Sequence, residues 1–452
     1  MRFISCLLVA LTATTYAQSG SSGSGSSIVV SGTKTASSAA DYPTGSLATY
    51  ASYTSAIILS QPTDSIAILS ASASAASNST LRASNTTIST NGTASATQTF
   101  LVGSNSLTGS GTASKTASAA GATNTQPCNG YPELCNRKYS NITQVAAHNS
   151  PFDVTGNVAS NQALDVTTQL NDGIRMLQFQ VHMPNSTSGL LLCHTSCNLL
   201  NVGTLTAYLT TVREWLDANP YDVLTILMGN YDYVDPGNFT DPINASGLSK
   251  YVYTPPVVPM PLDQWPTLGE MILTRRRVVM MLDYQADQTT IPWLLDEFAN
   301  MWETPFSPTD PAFPCTQQRP PNQATDISEN RMYIANHNLN VDVTLLGLSI
   351  LIPASTLLNT TNAVNGFGSL GLASQNCTAT WGRPPNFLLV DYYNIGSFNG
   401  SVFQVAADAN GVKYNRASCC GTAQRASNSA RSLRISSLWL PVLVGVFAFS
   451  MV

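Results

Sequence analysis

The feature that most constrains the fold is an alternation of short apolar runs and helical stretches between residues 128 and 420. The apolar runs 278–282 and 332–335 each end at a polar residue, and residues 205–216 and 291–301 have helical patterns. Such alternation predicts parallel strands joined by crossover helices. About 290 residues is a typical length for one barrel. We therefore expect an α/β fold, a TIM-type (β/α)8 barrel, either regular or distorted.

The chain before this region has a different composition. Residues 18–127 are dominated by Ser, Thr, Ala and Gly, with very few aromatic or charged residues. Such a stretch cannot bury enough apolar surface to offset the entropy of folding. We expect a disordered, O-glycosylated stalk. It contains one weak apolar run, 56–59 followed by 66–69, that could pair locally without forming a domain.

The two ends of the chain predict its location. Residues 1–17 have one Arg, an apolar core and a small residue at the end, which is typical of a secretory signal peptide. Residues 421–452 combine small residues, a short polar spacer and an apolar tail, which is typical of a GPI-anchor signal. The alternative is a transmembrane helix, but the apolar tail is short and contains Pro441. We expect a secreted protein, GPI-anchored at the outer plasma membrane or cell wall.

Sequons and cysteines agree with a secretory route. Eight cysteines remain once Cys6 leaves with the signal peptide, and an even count predicts disulfides. Cys128/Cys135 and Cys193/Cys197 are close enough for local loops, whereas the partners of Cys315, Cys377, Cys419 and Cys420 stay open. We expect glycans on stalk and barrel. The sequon asparagines are Asn78, Asn85, Asn91, Asn141, Asn185, Asn238, Asn244, Asn359, Asn376 and Asn399.

Two of the four histidines stand where an apolar run ends. His148 follows residues 142–147, and His194 follows residues 190–193. Histidine titrates near neutral pH, so two at strand ends suit proton transfer. The simpler interpretation is that both are ordinary polar strand ends. A structural bridge for Cys193 is favoured over a reactive thiol.

The segment between the two histidines has a polar face. In residues 173–182, Gln178, Gln180 and His182 alternate with apolar residues. Alternate residues of a strand share a face, and polar groups at the strand tops of a parallel barrel line its site. Three successive strands are therefore expected to bring His148, these three residues and His194 to one rim.

The order of these segments resembles the catalytic X-region of phosphatidylinositol-specific phospholipases C. The likeness is greatest to the PLC-like phosphodiesterases, a barrel group that includes many glycosylated fungal surface proteins, and it covers roughly residues 128–420. The segments that carry it are His148-Asn149-Ser150, residues 173–182, residues 191–194, the helix 204–219, the strand 222–228 and residues 387–394.

The resemblance implies a two-histidine mechanism. His148 would be the general base, oriented by Asp391, and His194 the general acid. Phosphodiester cleavage by a neighbouring hydroxyl has three needs. The first two, removal of the hydroxyl proton and donation of a proton to the leaving oxygen, would then be met. Substrate contacts are expected from the rim residues Asn149, Gln178, Gln180, His182 and Asp283.

The third need is stabilisation of the negative charge on phosphorus. The residues that usually provide it in this family are missing here. Animal enzymes of the class hold calcium with the Asn after the first His and with acidic residues on the second and fourth strands. Asn149 is present, but neutral Gln178 and Gln180 stand at acidic positions, so we expect no calcium and no cofactor. The Arg that bacterial members place on the second strand would fall at Gln180, so it is missing too.

Other arginines remain to supply the charge. Arg175 has the opposite parity to Gln178 and lies near the strand start, so it is expected to be structural. A loop arginine such as Arg331 or Arg383 could serve, but nothing in the sequence selects one.

Three functions stay open. The first is a phosphoric diester hydrolase or lyase acting on a phosphoinositide, a glycosyl-phosphoinositide or a related phospho-alcohol. The second is a catalytically silent surface barrel that binds phospho-sugars or wall components. The third is a glycoside hydrolase, whose two carboxylates would be Asp283 and Asp391. A net charge of −5 with 10% charged residues argues against nucleic acid as a partner; a phospholipid or phospho-sugar and, through the anchor, a membrane are expected instead.

Overall fold

The computed structural model describes residues 50–61, 126–185, 189–345, 348–414 and 419–420. The predicted signal peptide (1–17), the predicted anchor signal (421–452) and the stalk sequons Asn78, Asn85 and Asn91 lie outside the described residues.

The described strands and helices follow in chain order. The strands are β1 (Ile57–Ile58), β2 (Gln144–Ala147), β3 (Met176–His182), β4 (Leu191–Cys193), β5 (Asn201–Thr204), β6 (Leu224–Asn230), β7 (Val257–Val258), β8 (Val278–Leu282), β9 (Leu294–Asp296), β10 (Met301–Glu303), β11 (Met332–Asn336), β12 (Asn340–Leu345), β13 (Leu348–Pro353) and β14 (Phe387–Val390). The helices are α1 (Val166–Asp172), α2 (Leu205–Ala218), α3 (Thr240–Ser246), α4 (Leu268–Leu273), α5 (Glu297–Asn300), α6 (Thr325–Glu329), α7 (Leu358–Thr361), α8 (Leu370–Trp381) and α9 (Ser401–Asn410). Short 3-10 turns occupy Pro132–Leu134, Tyr139–Asn141, Pro236–Phe239, Leu248–Tyr251, Leu262–Gln264 and Ser355–Leu357.

Eight parallel strands form the main sheet. Their order is β10-β11-β14-β2-β3-β6-β8-β9, and every neighbouring pair is parallel. The sheet curls into a barrel, but among the described residues β9 and β10, the two ends of this order, are not hydrogen-bonded to each other. The predicted α/β fold of TIM type is confirmed in its distorted form.

The two faces of the strands bury different cores. On β3, Leu177 and Phe179 pack in one apolar cluster with Leu209 of α2, so this face lies against the helices. Met176, of opposite parity, belongs to a second cluster with Leu227 and other inward residues that fills the barrel. Each such fully buried side chain contributes about 2 kcal/mol relative to its exposed state. The alternation read from the sequence therefore decides which residues face the barrel interior.

Helix α2 shows how local sequence sets an outer element. The Thr204 hydroxyl accepts a hydrogen bond from the Ala207 N–H and caps the first turn. Leu205, Leu209 and Val212 recur at helical spacing and are buried on the sheet. The helix ends at Ala218 with Asn219 as its C-cap, and the chain then turns back towards β6.

The amino ends of the strands hold buried arginines. Arg175, just before β3, donates to Asp222 at 2.7 Å, and both side chains are almost fully buried. Arg175 is therefore a structural residue, as predicted from its place in the alternating pattern of the strand. Arg331 and Arg383 stand directly before β11 and shortly before β14, at the end of the barrel away from His148. The suggestion that one of these two serves the site is wrong, because each belongs to the amino end of its strand.

One predicted strand direction is also wrong. β4 runs antiparallel to β3, with Val181 opposite Leu192, and then pairs with β5 as a hairpin. Only residues 183–190 join β3 to β4, and a parallel return needs a crossover of about a dozen residues or more. His194 therefore comes back along β3 to the level of Phe179, instead of ending a third parallel strand.

Residues 50–61, here named the strap, are an exception to the predicted stalk. Ile57 and Ile58 pair with Val258 and Val257 of β7, and the Leu59 N–H donates to the Pro256 carbonyl at 2.8 Å. The Tyr53 hydroxyl donates to Asp296 at 2.9 Å. Buried Leu59 and partly buried Tyr53 supply here the apolar surface that the average composition of residues 18–127 lacks, whereas Ile57 and Ile58 are exposed.

The described cysteines form disulfides, and the described sequon asparagines are accessible. Disulfides join Cys128 to Cys135 and Cys193 to Cys197, as predicted. The open partners resolve as Cys315–Cys377 and the adjacent Cys419–Cys420. The sequon asparagines at 141, 185, 238, 244, 359, 376 and 399 are all exposed. Within the described ranges, no helix combines the length and apolarity needed to cross a bilayer.

Candidate active site

The centre of the site is a histidine–carboxylate pair on two adjacent strands. β2 and β14 are neighbours in the sheet, so their carboxyl ends place His148 beside Asp391. The His148 Nδ1 lies 2.7 Å from Asp391 Oδ1, and the carboxylate is 2% exposed. A carboxylate at Nδ1 fixes the tautomer with its proton there and leaves Nε2 as an acceptor. The imidazole is 14% exposed.

Two consecutive amide side chains in a loop hold this pair in place. Asn161, in the loop between β2 and α1, donates from Nδ2 to Asp391 Oδ1 at 3.0 Å. The next residue, Gln162, donates from Nε2 to the carbonyls of His148 and Val390, at 2.8 and 3.1 Å. The two strand ends are therefore tied together by one pair of buried amides, which holds the imidazole in a single orientation.

Two more amides face Nε2, the acceptor nitrogen of His148. Asn149 Nδ2 lies 3.2 Å and Asn338 Nδ2 3.5 Å from His148 Nε2. Asn149 is 1% exposed, and its side-chain oxygen is buried. Asn338 follows β11, so a third strand contributes to the rim. Amide donors near a basic nitrogen can also bind an anionic oxygen brought there by a ligand.

His194 lies across the rim on the β4–β5 hairpin. Its backbone N–H donates to the Leu200 carbonyl, and the Cys193–Cys197 disulfide closes the turn. The imidazole packs against Phe152 with ring centroids 5.2 Å apart. Burial, followed by the charge of nearby His148, lowers the pKa of His194 to about 4. An anion bound beside it would shift this pKa back upward.

The two glutamines at the acidic positions hold the turns that carry the histidines. Gln178 Oε1 accepts the backbone N–H of Asn149 at 3.0 Å. Gln180 Oε1 accepts the backbone N–H of Thr195 at 3.2 Å. Each glutamine thus fixes the residue directly after one histidine. Their oxygens already accept hydrogen bonds, and they are neutral, so the pair is a poor set of calcium ligands.

His182 is placed at the edge of this site. Its Nδ1 lies 3.3 Å from Asp232, and its ring packs against Tyr231 at 4.4 Å. Burial lowers the pKa of His182, and Asp232 opposes that shift. The side chain is 6% exposed. Its contacts hold it to the β6 connection, away from His148.

Asp283 lies on the far side of Gly229. A Cβ at Gly229 would lie 3.6 Å from Asp283 Oδ2 and 3.6 Å from the Gln180 Cα, so the missing side chain leaves the space between the two open. Asp283 Oδ1 accepts the Asn230 N–H at 2.7 Å. Burial raises the pKa of Asp283 to about 6, against the guanidinium of Arg319.

Arg319 is the positively charged residue beside Asp283, on the wall of the site beyond Gly229. It is 3% exposed and lies 4.0 Å from Asp283 Oδ2, with closer contacts to Glu303 at 3.2 Å and to the Tyr284 hydroxyl at 2.8 Å. A carboxylate partner on one side and a tyrosine on the other hold the guanidinium in place. Arg319, rather than Arg331 or Arg383, is the arginine next to a rim carboxylate.

Sequence reasoning missed four contributors. Asn161, Gln162 and Arg319 lie in loops whose polar residues carry no periodic pattern, and only the loop's path identifies them. Asn338 did leave a signal, because the apolar run 332–335 ends in consecutive polar residues, as at His148. The predicted residues His148, Asn149 and Asp391 are brought into direct contact, Gln178 and Gln180 support the histidine turns, and His182 and Asp283 flank them.

The arrangement suits proton transfer at a bound anion. The Nε2 of His148, an acceptor in this tautomer, can take a proton, and the partly buried imidazole of His194 can give one. The amides of Asn149 and Asn338 beside Nε2 can bind oxygens. Asp391, one of the two carboxylates that a glycoside hydrolase would need, is engaged by His148 and Asn161 instead.

The sequence is similar to a family model and to two relatives from one organism. The family model described as PI-PLC X 1 matches residues 134–405, more than half of the chain. A protein of Arthroderma benhamiae named "PI-PLC X domain-containing protein 1" is 41% identical over 287 residues, which is 63% of this chain and 90% of that protein. Another, named "Uncharacterized secreted protein", is 60% identical over 308 residues, 68% of this chain and 69% of that protein.

Among solved structures, one that is similar to this chain is the phosphatidylinositol-specific phospholipase C from Listeria monocytogenes. It is 14% identical, with a TM-score of 0.38, and the match covers 65% of this chain and 98% of that one.

Proposed function

The chain belongs to the PI-PLC X family, and on this premise we propose that it is a phosphodiesterase acting by two-histidine acid–base catalysis. The substrate we propose is a phosphoinositide, a glycosyl-phosphoinositide or a related phospho-alcohol. The single observation that carries the proposal is the contact of His148 with Asp391 at 2.7 Å, with Nε2 left facing the amides of Asn149 and Asn338.

The proposed reaction starts at His148. Its Nε2 removes the proton of a hydroxyl next to the phosphodiester, and that oxygen attacks phosphorus. The bond from phosphorus to the leaving oxygen breaks, and protonated His194 gives that oxygen its proton. The products are a cyclic phosphodiester and a free alcohol. Asp391 stabilises the imidazolium that forms on His148, as in any buried Asp–His pair.

The phosphate raises the proton affinity of the general acid. In the free site burial lowers the pKa of His194 to about 4, so the ring is neutral at pH 7. A bound anion favours the protonated form. Substrate binding itself would therefore supply the acid form of His194.

We propose that neutral hydrogen-bond donors take the place of the calcium ion that animal enzymes of the class hold. Asn149 and Asn338 direct amide hydrogens to the place where the attacking oxygen and the phosphate would lie. Removing one such donor in other enzymes costs about two to three decades in rate. Asp283 and Arg319, on the wall beyond Gly229, would contact the alcohol part of the substrate, and His182 the rim next to it. No metal or cofactor enters the proposed mechanism.

Secretion and lipid anchoring are part of the same proposal. The signals at residues 1–17 and 421–452, the exposed sequons and the name of the 60% identical relative support an extracellular, glycosylated, GPI-anchored protein with a stalk before the barrel. The anchor would place the barrel next to a membrane.

The test is a product assay on the secreted protein. With phosphatidylinositol in mixed micelles, phosphorus NMR should show a cyclic inositol phosphate, and His148→Ala should abolish it. The matched pair Asp391→Asn and Asp408→Asn separates chemistry from a general loss of charge, because Asp408 lies exposed on α9. A wild-type protein that is folded, and inert on phosphoinositides and glycosyl-phosphoinositides alike, would favour the silent barrel instead.

A further inference from the structure

Among the described residues, one group of three metal-ligating side chains has its ligand atoms within 4.8 Å of one another. The group consists of Asp172, Cys419 and Cys420. Asp172 is the last residue of α1, whereas the two cysteines follow α9. In a tetrahedral zinc site, thiolate and carboxylate ligand atoms lie about 3.5–3.8 Å apart, because the bonds to the ion are about 2.0–2.3 Å long. The three side chains are therefore already near the spacing that one zinc ion needs.

Cys419 is packed tightly against the start of α9. A Cβ at Gly400, the residue before this helix, would lie 2.7 Å from the Cys419 Cβ and 2.9 Å from its Sγ. Contacts of that length are too short for a side chain, so only glycine allows this approach. Cys419 is 5% and Asp172 2% exposed. Asp172 Oδ2 accepts a hydrogen bond from the Tyr393 hydroxyl at 2.6 Å, and such a hydrogen bond orients a ligating carboxylate.

The group is accessible to an ion, and its charge favours one. Asp172 lines a cavity of about 240 Å³ together with Phe403 and Tyr414, and Cys420 is only partly buried. Two thiolates and one carboxylate carry three negative charges, and burying them together without a positive charge is costly. A divalent cation supplies two positive charges. Thiolate ligands select zinc and similar soft ions over magnesium or calcium.

The disulfide between the two cysteines contributes little to stability. A disulfide stabilises mainly by restricting the unfolded chain, and its effect grows with the length of the loop that it closes. Cys315 and Cys377 are 62 positions apart, whereas Cys419 and Cys420 are adjacent. The bond between adjacent residues closes no such loop. An ion held by the same two sulfurs and by Asp172 joins the end of α1 to the chain after α9, so it restricts the fold where the disulfide does not.

We propose that Asp172, Cys419 and Cys420 bind one zinc ion, or another thiophilic divalent cation, once the disulfide is reduced. A dithiol reductant supplies the two electrons. Its own two thiols become a disulfide, and Cys419 and Cys420 each gain a proton. Metal binding then releases both protons, because the ligands are thiolates. Water completes the tetrahedron. The site goes beyond the proposed function, since none of the three residues belongs to the proposed catalytic groups.

Cobalt spectroscopy on the full secreted chain tests this site. The protein is reduced with a dithiol, separated from the reductant in the absence of air, and titrated with Co²⁺ and then with Zn²⁺. Wild type should bind one Co²⁺ with a thiolate charge-transfer band and the d–d bands of a tetrahedral site, and Zn²⁺ should remove both. The oxidised protein should show neither band. Cys419→Ser/Cys420→Ser, treated in the same way, should also show neither, which controls for sulfur from the other disulfides.

The carboxylate and the effect on stability have separate readouts. Asp172→Asn should keep the charge-transfer band and lose at least about tenfold in affinity for Co²⁺. Asp408→Asn, which lies exposed on α9, should bind as wild type does. Zn²⁺ at about a hundred times its dissociation constant should raise the Tm of the reduced wild type by about 5 °C. The same Zn²⁺ should leave the Tm of the oxidised protein and of the double serine variant unchanged.

Four results would overturn the proposal. They are a pair of cysteines that stays oxidised in dithiol while the protein is folded, a reduced wild type without the cobalt bands, equal binding by wild type and the double serine variant, and unchanged affinity in Asp172→Asn. Alkylation followed by mass spectrometry identifies which cysteines were reduced. None of these readouts involves turnover, so the result stays distinct from a failure of the proposed chemistry.

Discussion

Replacing Asp391 by Asn tests the core of the proposed mechanism with the smallest change of shape. Asp391 Oδ1 lies 2.7 Å from His148 Nδ1 and also accepts from Asn161 at 3.0 Å. The Asn side-chain oxygen can accept both hydrogen bonds from the same place. The new NH2 takes the position of Oδ2, which is buried and has no hydrogen-bond partner. The main loss is therefore the negative charge.

The size of the effect follows from that charge. Two unit charges about 4 Å apart interact by about 4 kcal/mol at an effective dielectric constant near 20. If roughly half of the imidazolium charge has formed in the transition state, the carboxylate contributes about 2 kcal/mol there. That corresponds to a rate loss of roughly 30-fold, which is smaller than the loss expected for His148→Ala.

Initial rates on phosphatidylinositol in mixed micelles measure this loss. We expect kcat to fall while KM stays within a factor of about two, since Asp391 does not touch the substrate. Asp408→Asn, the exposed control, should keep full activity. A variant with wild-type kcat would refute the orienting role of Asp391. A variant that loses its cooperative unfolding transition would show that the carboxylate is needed for the fold itself.

The remaining predictions concern the metal, the histidine pair and pH. A chelator such as EDTA should leave turnover unchanged, because Gln178 and Gln180 lack the charge that calcium requires; recovery of lost activity by added calcium would contradict this. His148→Ala and His194→Ala should each lower kcat/KM by about two to four decades, and the double variant should be little worse, since groups of one cycle are not additive; multiplied losses would mean separate roles. Burial lowers the pKa of His337 from 6.5 to about 3, so the stability that its neutral form contributes is complete above pH 6.5 and is lost as pH falls towards 3. Between pH 7 and pH 4, urea unfolding should show about 3 kcal/mol more loss for wild type than for His337→Gln; identical losses would refute the assignment.

The barrel and the faces of its strands were predictable because they depend on local periodicity. Leu177 and Phe179 alternate with Gln178 and Gln180, and this pattern alone decides which residues face the interior. Polar residues at the ends of parallel strands must meet at one rim, so His148 and Asp391 could be brought together although 242 residues separate them in the sequence.

The direction of β4 and the loop contributors were not predictable in the same way. β4 is apolar like its neighbours, and only the shortness of the connection from β3 reverses it. Asn161 and Arg319 act from loops, where a residue's place depends on the whole path of the chain. The strap was not predicted for another reason, because a few residues such as Tyr53 and Leu59 are lost in the average over a Ser-rich stretch.

The strap also changes what a cut in the chain would do. The strap ends at Gln61, and the described chain resumes at Gln126, next to the Cys128–Cys135 disulfide. The chain is therefore held on the same domain both before residue 62 and after residue 125. A protease that cleaves one peptide bond between these two positions would not shed the amino-terminal piece. That piece would stay attached through Tyr53, the β1–β7 pairing and buried Leu59, as a nicked two-fragment protein that separates only on denaturation.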